Sequence, residues 1–429
     1  MKNKFFILLM ALVLSSCQKQ VEEITGTWKT FVATNENIVS TVNTRVTPFN
    51  TVMQINYFLN DKNANNDEVY ENVTTLFNNE VGRLHKEFDR HYHYIDSDDN
   101  LVTNIKTINE SFGSNQTIKC SDELYSLLKF SVDCYELTDG YFNVFSGQIT
   151  DFWNNVFDIA YNDFSISIQE LDPLYNSDLN EELRKLVDAT PSNIDEIKQQ
   201  LTFDDENKTI TFNKCEFNND IRPLISVGGI AKGYATDIIK NSLISNGYKE
   251  GYLISGGSSI STIDKPIYSS ESQGQKISVM NPELSNIISK VPAFTMYFKD
   301  EFNFSTSGNY TDGKHYNFTD DNGNIIYRHH IINPFTGYPE SYYRSVSIKT
   351  TYFSNAYVDA FSTAFMNLSI EDGMKLRNKI LSQFEGADLE LFYLVQTGKK
   401  DNATFTLHAT SDVNNSLVAG ERLQIVYEK

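Results

Sequence analysis

The first apolar feature of the chain is the unbroken run from Phe5 to Leu14, set behind Lys2 and Lys4. It is too short to cross a ~30 Å hydrocarbon core as a helix. It has the length and flanks of a signal-peptide h-region. Beyond a weakly patterned stretch, Val52 to Phe58 predicts a first core strand. Val69, Val73, Leu76, Phe77, Val81 and Leu84 recur at helical spacing, so Glu68 to Phe88 predicts an amphipathic helix. Phe88 to Asn109 is polar and aromatic without a period, which predicts a loop. Ser121 starts a helix to about Leu137, with Leu124, Leu127, Leu128 and Val132 on its apolar side and Gly140 just past its end. Asp178 to Leu186 predicts another helix.

Leu201 to Phe203 and Thr209 to Phe212 read as a hairpin around a five-residue polar loop. Ile225 to Gly229 leads into a helix from about Ala231 to Ser245, stopped by Asn246-Gly247. Short strands are predicted at Tyr252–Ser255, Lys276–Val279, Val291–Tyr297 and Ser345–Thr350. Helices follow at Asn355–Leu368 and after Ser369, and strands at Leu389–Thr397, Thr404–His408 and Leu423–Tyr427. Strands and helices mix without a strict βαβ rhythm, which predicts an α+β fold of mixed β-sheets packed with helices. No repeat or long linker divides the chain. The expected organisation is a signal peptide over 1–16, a tether over 17–45 with room for one strand, and one domain over 46–429.

Composition narrows the function classes. The formal charge of -20 falls further once Lys2 and Lys4 are removed with the signal, so nucleic acid is a poor partner. An anion would need a locally arranged site. The 29 Phe and 24 Tyr argue for a packed core and against disorder. Cys17, Cys120, Cys134 and Cys215 form no CxxC, which disfavours a zinc site or a disulfide scaffold and leaves a single disulfide open.

Five segments could carry chemistry. Ser226-Val227-Gly228-Gly229-Ile230-Ala231-Lys232 passes from a strand through paired glycines into a helix. Such a start offers free N–H groups and partial positive charge to an anion, and Lys232 adds a full charge. It is neither a Walker A loop nor GxGxxG, and a tight turn with a surface lysine is the plain alternative. Ser255-Gly256-Gly257-Ser258 ends a buried strand. Phe304-Ser305-Thr306-Ser307-Gly308-Asn309-Tyr310 clusters hydroxyls and reads by itself as a solvated loop. Arg328-His329-His330-Ile331-Ile332-Asn333-Pro334 precedes a turn. Adjacent residues of an extended chain point to opposite sides, so one histidine rather than two would act, as a proton acceptor; two exposed histidines beside a turn are the plain alternative. Asp359 and Thr363 lie four apart on a helix and share a face. A carboxylate with a hydroxyl suits magnesium, although a dipole-stabilising Asp and a back-bonding Thr would look the same.

Taken in order, these segments resemble the ApbE family, the FAD:protein FMN transferases. The most specific pieces are Gly228 to Ala235, His330 to Pro339 and Asp359 to Ala364, with support from Phe49-Asn50-Thr51, Asn100 to Asn109 and Thr138 to Asn143. Leu14-Ser15-Ser16-Cys17 resembles a lipobox, which is common in that family. Cys17 would then be acylated, anchoring the protein at the extracytoplasmic face of a bacterial cell membrane. The resemblance implies a crevice between two lobes that binds FAD. It implies transfer of FMN to a Thr or Ser hydroxyl of an exported client flavoprotein, with AMP leaving and Mg2+ required. The implied roles are metal binding by Gly229, Asp359 and Thr363, and proton acceptance by His330. Contacts to the flavin nucleotide would come from Tyr92, with Tyr94 competing for the same role, and from Tyr141, Phe142, Asn143, Ser226, Lys232, Gly256, Gly257, Ile331 and Asn333. At 226 and 258 the family usually has Asp, and this chain has Ser. FAD hydrolysis to FMN and AMP, with water in place of the client hydroxyl, is one alternative; FAD binding without chemistry is another, which these two serines keep open.

Overall fold

The computed structural model describes residues 25–36, 38–268, 272–283, 291–309, 314–398, 402–411, 413 and 415–428. The signal segment and Cys17 lie outside the described residues. Nine strands form one sheet whose spatial order is the chain order: β1 (Gly26–Val32), β2 (Met53–Asn60), β3 (Gly251–Ser255), β4 (Ser259–Thr262), β5 (Asn303–Gly308), β6 (Ser345–Thr350), β7 (Glu390–Thr397), β8 (Thr404–Ala409) and β9 (Leu423–Tyr427). Every neighbouring pair is antiparallel except β8 and β9, which run parallel. The architecture is α+β, as the mixed rhythm predicts. β1 falls in the stretch read as a tether with room for one strand.

Helices cover the sheet where their apolar stripes dictate. α1 (Asn66–Phe88) buries Val73, Phe77, Val81 and Leu84 against Ile55, Tyr57 and Leu59 of β2, in one cluster with α2 (Asp122–Leu137). Asn65 and Ser121 cap these two helices through side-chain bonds to Glu68 N and Leu124 N; such caps contribute about 1 kcal/mol each. α3 (Gly147–Asn162) and α4 (Ser177–Asp188) make a separate cluster around the buried Trp153. α5 (Ala231–Ser245), α6 (Asn355–Phe365) and α7 (Ile370–Gln383) complete the helical layer.

Several expectations need correction. The hydroxyl-rich 304–310 segment, read as a loop, supplies strand β5; Phe304 and Ser305 are buried between β4 and β6. Its serines bond Ser259 of the neighbouring strand and Ser362 of α6 rather than water, so their polarity misled. Arg328 and His329 end a strand, Ile325–His329, paired with His315–Thr319. The aperiodic 88–109 stretch holds a short helix, Ile105–Glu110, capped by Asn104. α3 was not anticipated, although Ile149, Phe152, Trp153, Val156 and Phe157 carry its helical spacing. Cys120, Cys134 and Cys215 are free thiols, so the single disulfide left open is absent among them.

Candidate active site

The site is built where α5 meets α6. Gly233 is in the first turn of α5. A side-chain carbon there would lie 2.2 Å from the Asn355 carbonyl oxygen and 2.8 Å from Asp359 Cβ. Glycine therefore lets the two helices touch backbone to backbone. The contact is locked from the other end by Asp237, whose carboxylate accepts the Asn355 and Ala356 N–H groups at 3.0 and 2.8 Å. α6 has no side-chain cap of its own, and the α5 carboxylate does that work across the interface. Burial pushes the Asp237 carboxyl up, and the two N–H bonds pull it back.

With the helices so fixed, Asp359 points at α5. Its Oδ2 accepts the Gly233 N–H at 3.0 Å and lies 3.5 Å from Lys232 Nζ, while Oδ1 accepts the Ser305 hydroxyl at 3.3 Å. Lys232 also donates to the Gly228 carbonyl at 3.1 Å. Thr363 bonds back to the Asp359 carbonyl at 3.2 Å, and its Oγ1 is 3.1 Å from where a Gly229 side chain would begin. Gly229, Lys232, Asp359 and Thr363, up to 134 residues apart in the chain, therefore converge. Behind them runs a hydroxyl ladder that sequence reading missed: Ser259 to Ser305, Ser305 to Ser362, and Ser362 to Ser307 at 2.8 Å.

The flanking stretches arrive through backbone bonds. Ser226 N–H donates to the Val144 carbonyl at 2.7 Å, joining the glycine turn to the Tyr141-Phe142-Asn143 stretch. The Phe142 ring stands 3.3 Å from the Gly229 side-chain position. Tyr141 packs edge-on to Phe335, centroids 5.1 Å apart. Gly256 and Gly257 take left-handed φ of 67° and 64° to turn the chain after β3. A side chain at Gly256 would meet Lys232 Cδ at 3.1 Å and Thr51 at 3.2 Å, which places this turn against the lysine stem. Asn367 draws the His330 segment onto α6, donating to the Ile332 carbonyl at 3.1 Å.

The two histidines divide as alternation on an extended strand requires. His329 is fully buried; its Nε2 faces the Glu340 carbonyl at 2.8 Å, and its Nδ1 accepts the Ile331 N–H at 3.2 Å. His330 is partly exposed, and its Nδ1 is buried without a hydrogen-bond partner. Burial first, then the positive surroundings of His329, Lys314 and Lys232, pull it down to about 3, so it is neutral near pH 7. Behind this segment, Arg328 bonds the buried Asp172 at 2.8 and 3.2 Å and stacks over Tyr338 and Trp153. Trp153 Nε1 in turn donates to the Gly337 carbonyl at 2.6 Å. The α3–α4 unit thus clamps the strand and turn that carry His330.

Other predicted residues have structural partners. Asn143 donates to the Pro191 carbonyl and accepts the Phe145 N–H; Asn333 donates to Glu340 and accepts the Phe335 N–H. These bonds shape turns. Ile331 is buried in the core under α6. Tyr92 packs with Ile38, Val46 and Tyr94 in a satellite cluster, and no described bond joins it to Lys232 or Asp359.

Among the described residues no group of three or more His, Cys, Asp or Glu side chains is arranged for a metal. The donors present are one carboxylate, a hydroxyl and backbone carbonyls. That set suits a hard cation completed by phosphate oxygens and water, and not zinc. A separate cavity of about 260 Å3, lined by Lys299, Lys349 and Thr351 among others, contains none of these residues. Lys349 at its edge is already held by Asp388 and Glu390.

Residues 49–386 match the ApbE family. The chain belongs to that family. Its fold is similar to the ApbE protein of Thermotoga maritima (TM-score 0.56, 22% identity, 85% of this chain and 94% of that one). It is similar also to the flavin transferase ApbE of Vibrio cholerae (TM-score 0.59, 17% identity, 91% and 100%). The flavinyl transferase ApbE of Pseudomonas stutzeri, in apo form, aligns with TM-score 0.56 at 15% identity over 92% and 98%. No curated protein sequence matches the chain.

Proposed function

We propose that this ApbE-family chain is a flavin transferase that moves FMN from FAD to a Thr or Ser hydroxyl of an exported flavoprotein, releasing AMP. The observation that carries the reading is the convergence of Gly229, Lys232, Asp359 and Thr363 at the start of α5. A helix N-terminus and a lysine beside a lone carboxylate and a hydroxyl make a site for a pyrophosphate with its cation. Gly229, Asp359 and Thr363 would hold Mg2+, which when bound supplies charge neutralisation for phosphoryl transfer.

The chain's own groups do the rest. Lys232 now divides its charge between Asp359 and the Gly228 carbonyl; with nucleotide bound it would turn to a phosphate oxygen. Tyr141, half-buried against Phe335, would offer apolar surface to the flavin, with Phe142 buried behind it beside Gly229. His330 would take the proton of the acceptor hydroxyl as its oxygen bonds to the FMN phosphorus and the bond to AMP breaks. Its neutral state leaves a lone pair free, and a nearby phosphate charge would raise its affinity for the proton. Cys17 acylation would hold the enzyme at the outer face of the membrane, and no described helix is long and apolar enough to cross it.

The test is AMP release from FAD by residues 18–429, with and without Mg2+ and with and without a flavoprotein acceptor. Metal- and acceptor-dependent AMP supports transfer. AMP without acceptor dependence points to FAD hydrolysis, with water taking the place of the acceptor hydroxyl. FAD binding with no AMP under any of these conditions overturns the enzymatic reading.

A further inference from the structure

The chemistry above leaves unused a buried chain of polar groups beside the site. Pro48–Asn50 forms a single tight turn before β2, in which Phe49 and Asn50 hold φ of 50° and 53°. Neither is glycine, and left-handed backbone at a phenylalanine is a strained state. Something must over-determine it. The Phe49 N–H donates to His85 Nδ1 at 3.0 Å, and the Phe49 ring meets His85 edge-on, centroids 5.7 Å apart.

His85 lies on α1 and is buried, and so are Tyr94 and Asp89 beside it. His85 Nε2 is 3.1 Å from the Tyr94 oxygen, and the Tyr94 hydroxyl donates to Asp89 Oδ2. Asp89 Oδ1 accepts the His91 N–H at 2.7 Å. The directions follow from the inventory of donors. Tyr94 has one hydrogen and gives it to a carboxylate, so its oxygen must accept from His85. That puts the imidazole proton on Nε2 and leaves the Nδ1 lone pair for Phe49. Burial holds the ring neutral, its affinity for a second proton lowered to about 4.

The turn so held ends at Thr51. Its side chain and the Lys232 stem bracket Gly256, each about 3 Å from where a side-chain carbon would begin there. We infer that His85, with its proton fixed by Tyr94 and Asp89, is a positioning residue that holds the Phe49–Thr51 turn against the Gly256 turn, whose other flank is the Lys232 stem, and so sets recognition of the flavin nucleotide. The inference rests on the proposed contact between Lys232 and that nucleotide.

Three variants of the 18–429 protein test it. His85→Leu removes the acceptor for Phe49. His85→Asn restores one, because the asparagine oxygen sits near the place of Nδ1. Leu84→Ala, at the neighbouring buried position of α1, lowers stability and leaves the His85 acceptor of the Phe49 N–H in place. His85→Leu should raise both the Kd and the KM for FAD about tenfold with kcat little changed, and His85→Asn should recover most of that. Leu84→Ala should lower Tm and leave KM where it was. Equal KM values for His85→Leu and Leu84→Ala at matched loss of Tm would overturn the inference. Hydrogen exchange separates it from the functional reading: the Phe49 amide should exchange fast in His85→Leu and slowly in the wild type and His85→Asn. Uniform protection across all three would sink the positioning role even if FAD binds elsewhere. A wild type that neither binds nor cleaves FAD, with the exchange pattern intact, would instead sink the proposed function.

Discussion

Gly233→Ala gives the sharpest test of how the site is assembled. The added carbon would stand 2.2 Å from the Asn355 oxygen, where ordinary contact begins near 3.4 Å. The obstacle is backbone, not the end of a flexible side chain, so α6 has to retreat by about 1 Å at Asp359. Overpacking of that kind costs about 1–3 kcal/mol. Alanine in a helix returns about 1 kcal/mol relative to glycine. The net loss of stability should therefore be small, about 0–2 kcal/mol. Activity should suffer more. Displacing a catalytic constellation by about 1 Å commonly costs on the order of 100-fold. Gly82→Ala is the control: it is also within a helix, and the nearest atom to the new carbon is Ile38 Cγ1 at 3.8 Å. Urea unfolding and acceptor-labelling rates should show Gly82→Ala at or above wild type in both, and Gly233→Ala nearly as stable but about 100-fold slower. A Gly233→Ala protein within threefold of wild-type rate would refute the claim that this contact sets the Asp359–Lys232 geometry.

Three further outcomes follow from the same structure. Asp172→Ala should lose about 3–5 kcal/mol in urea unfolding, because it strands the buried Arg328 guanidinium. Asp237→Ala leaves the Asn355 and Ala356 N–H groups without their acceptor; about 1–3 kcal/mol should be lost, with Asp237→Asn milder and activity falling in the same order. Acid should destabilise the protein through its buried histidines. His85 and His329 are each lowered to about 4 in the folded state. Below about pH 6.5 the unfolded chain takes up protons that the folded one refuses. Their contribution is whole above that pH and is lost as pH falls towards 4, at about 2 kcal/mol per histidine between pH 7 and 5. Unfolding midpoints measured across that range should fall with pH, and less so in His85→Asn.

Local pattern made much of this site legible before any coordinates. The 3.6-residue period and the glycines placed α5 and α6, and four-residue spacing put Asp359 and Thr363 on one face. Alternation along an extended strand also foretold that His329 and His330 would differ. Partners far apart in sequence were not legible. Nothing near Asp237 indicates that it caps a helix more than a hundred residues later, because the bond exists only once Gly233 lets the helices close. The Ser305–Ser362–Ser307 ladder looked like solvent-facing polarity, since hydroxyls that satisfy one another across strands and helix carry no local signature. Nor does the sequence show that the Asn143 and Asn333 carboxamides each make two bonds that shape turns. The Asp172–Arg328 pair belongs to the same class: a buried charge is readable only with its partner beside it.

The most direct test of the central claim is peptide mass mapping of an exported flavoprotein acceptor after incubation with residues 18–429, FAD and Mg2+, beside the Asp359→Ala enzyme. FMN attached by a phosphodiester to one Thr or Ser, present with the wild type and absent with Asp359→Ala, is the predicted result. An unmodified acceptor, or equal labelling by both enzymes, would contradict it.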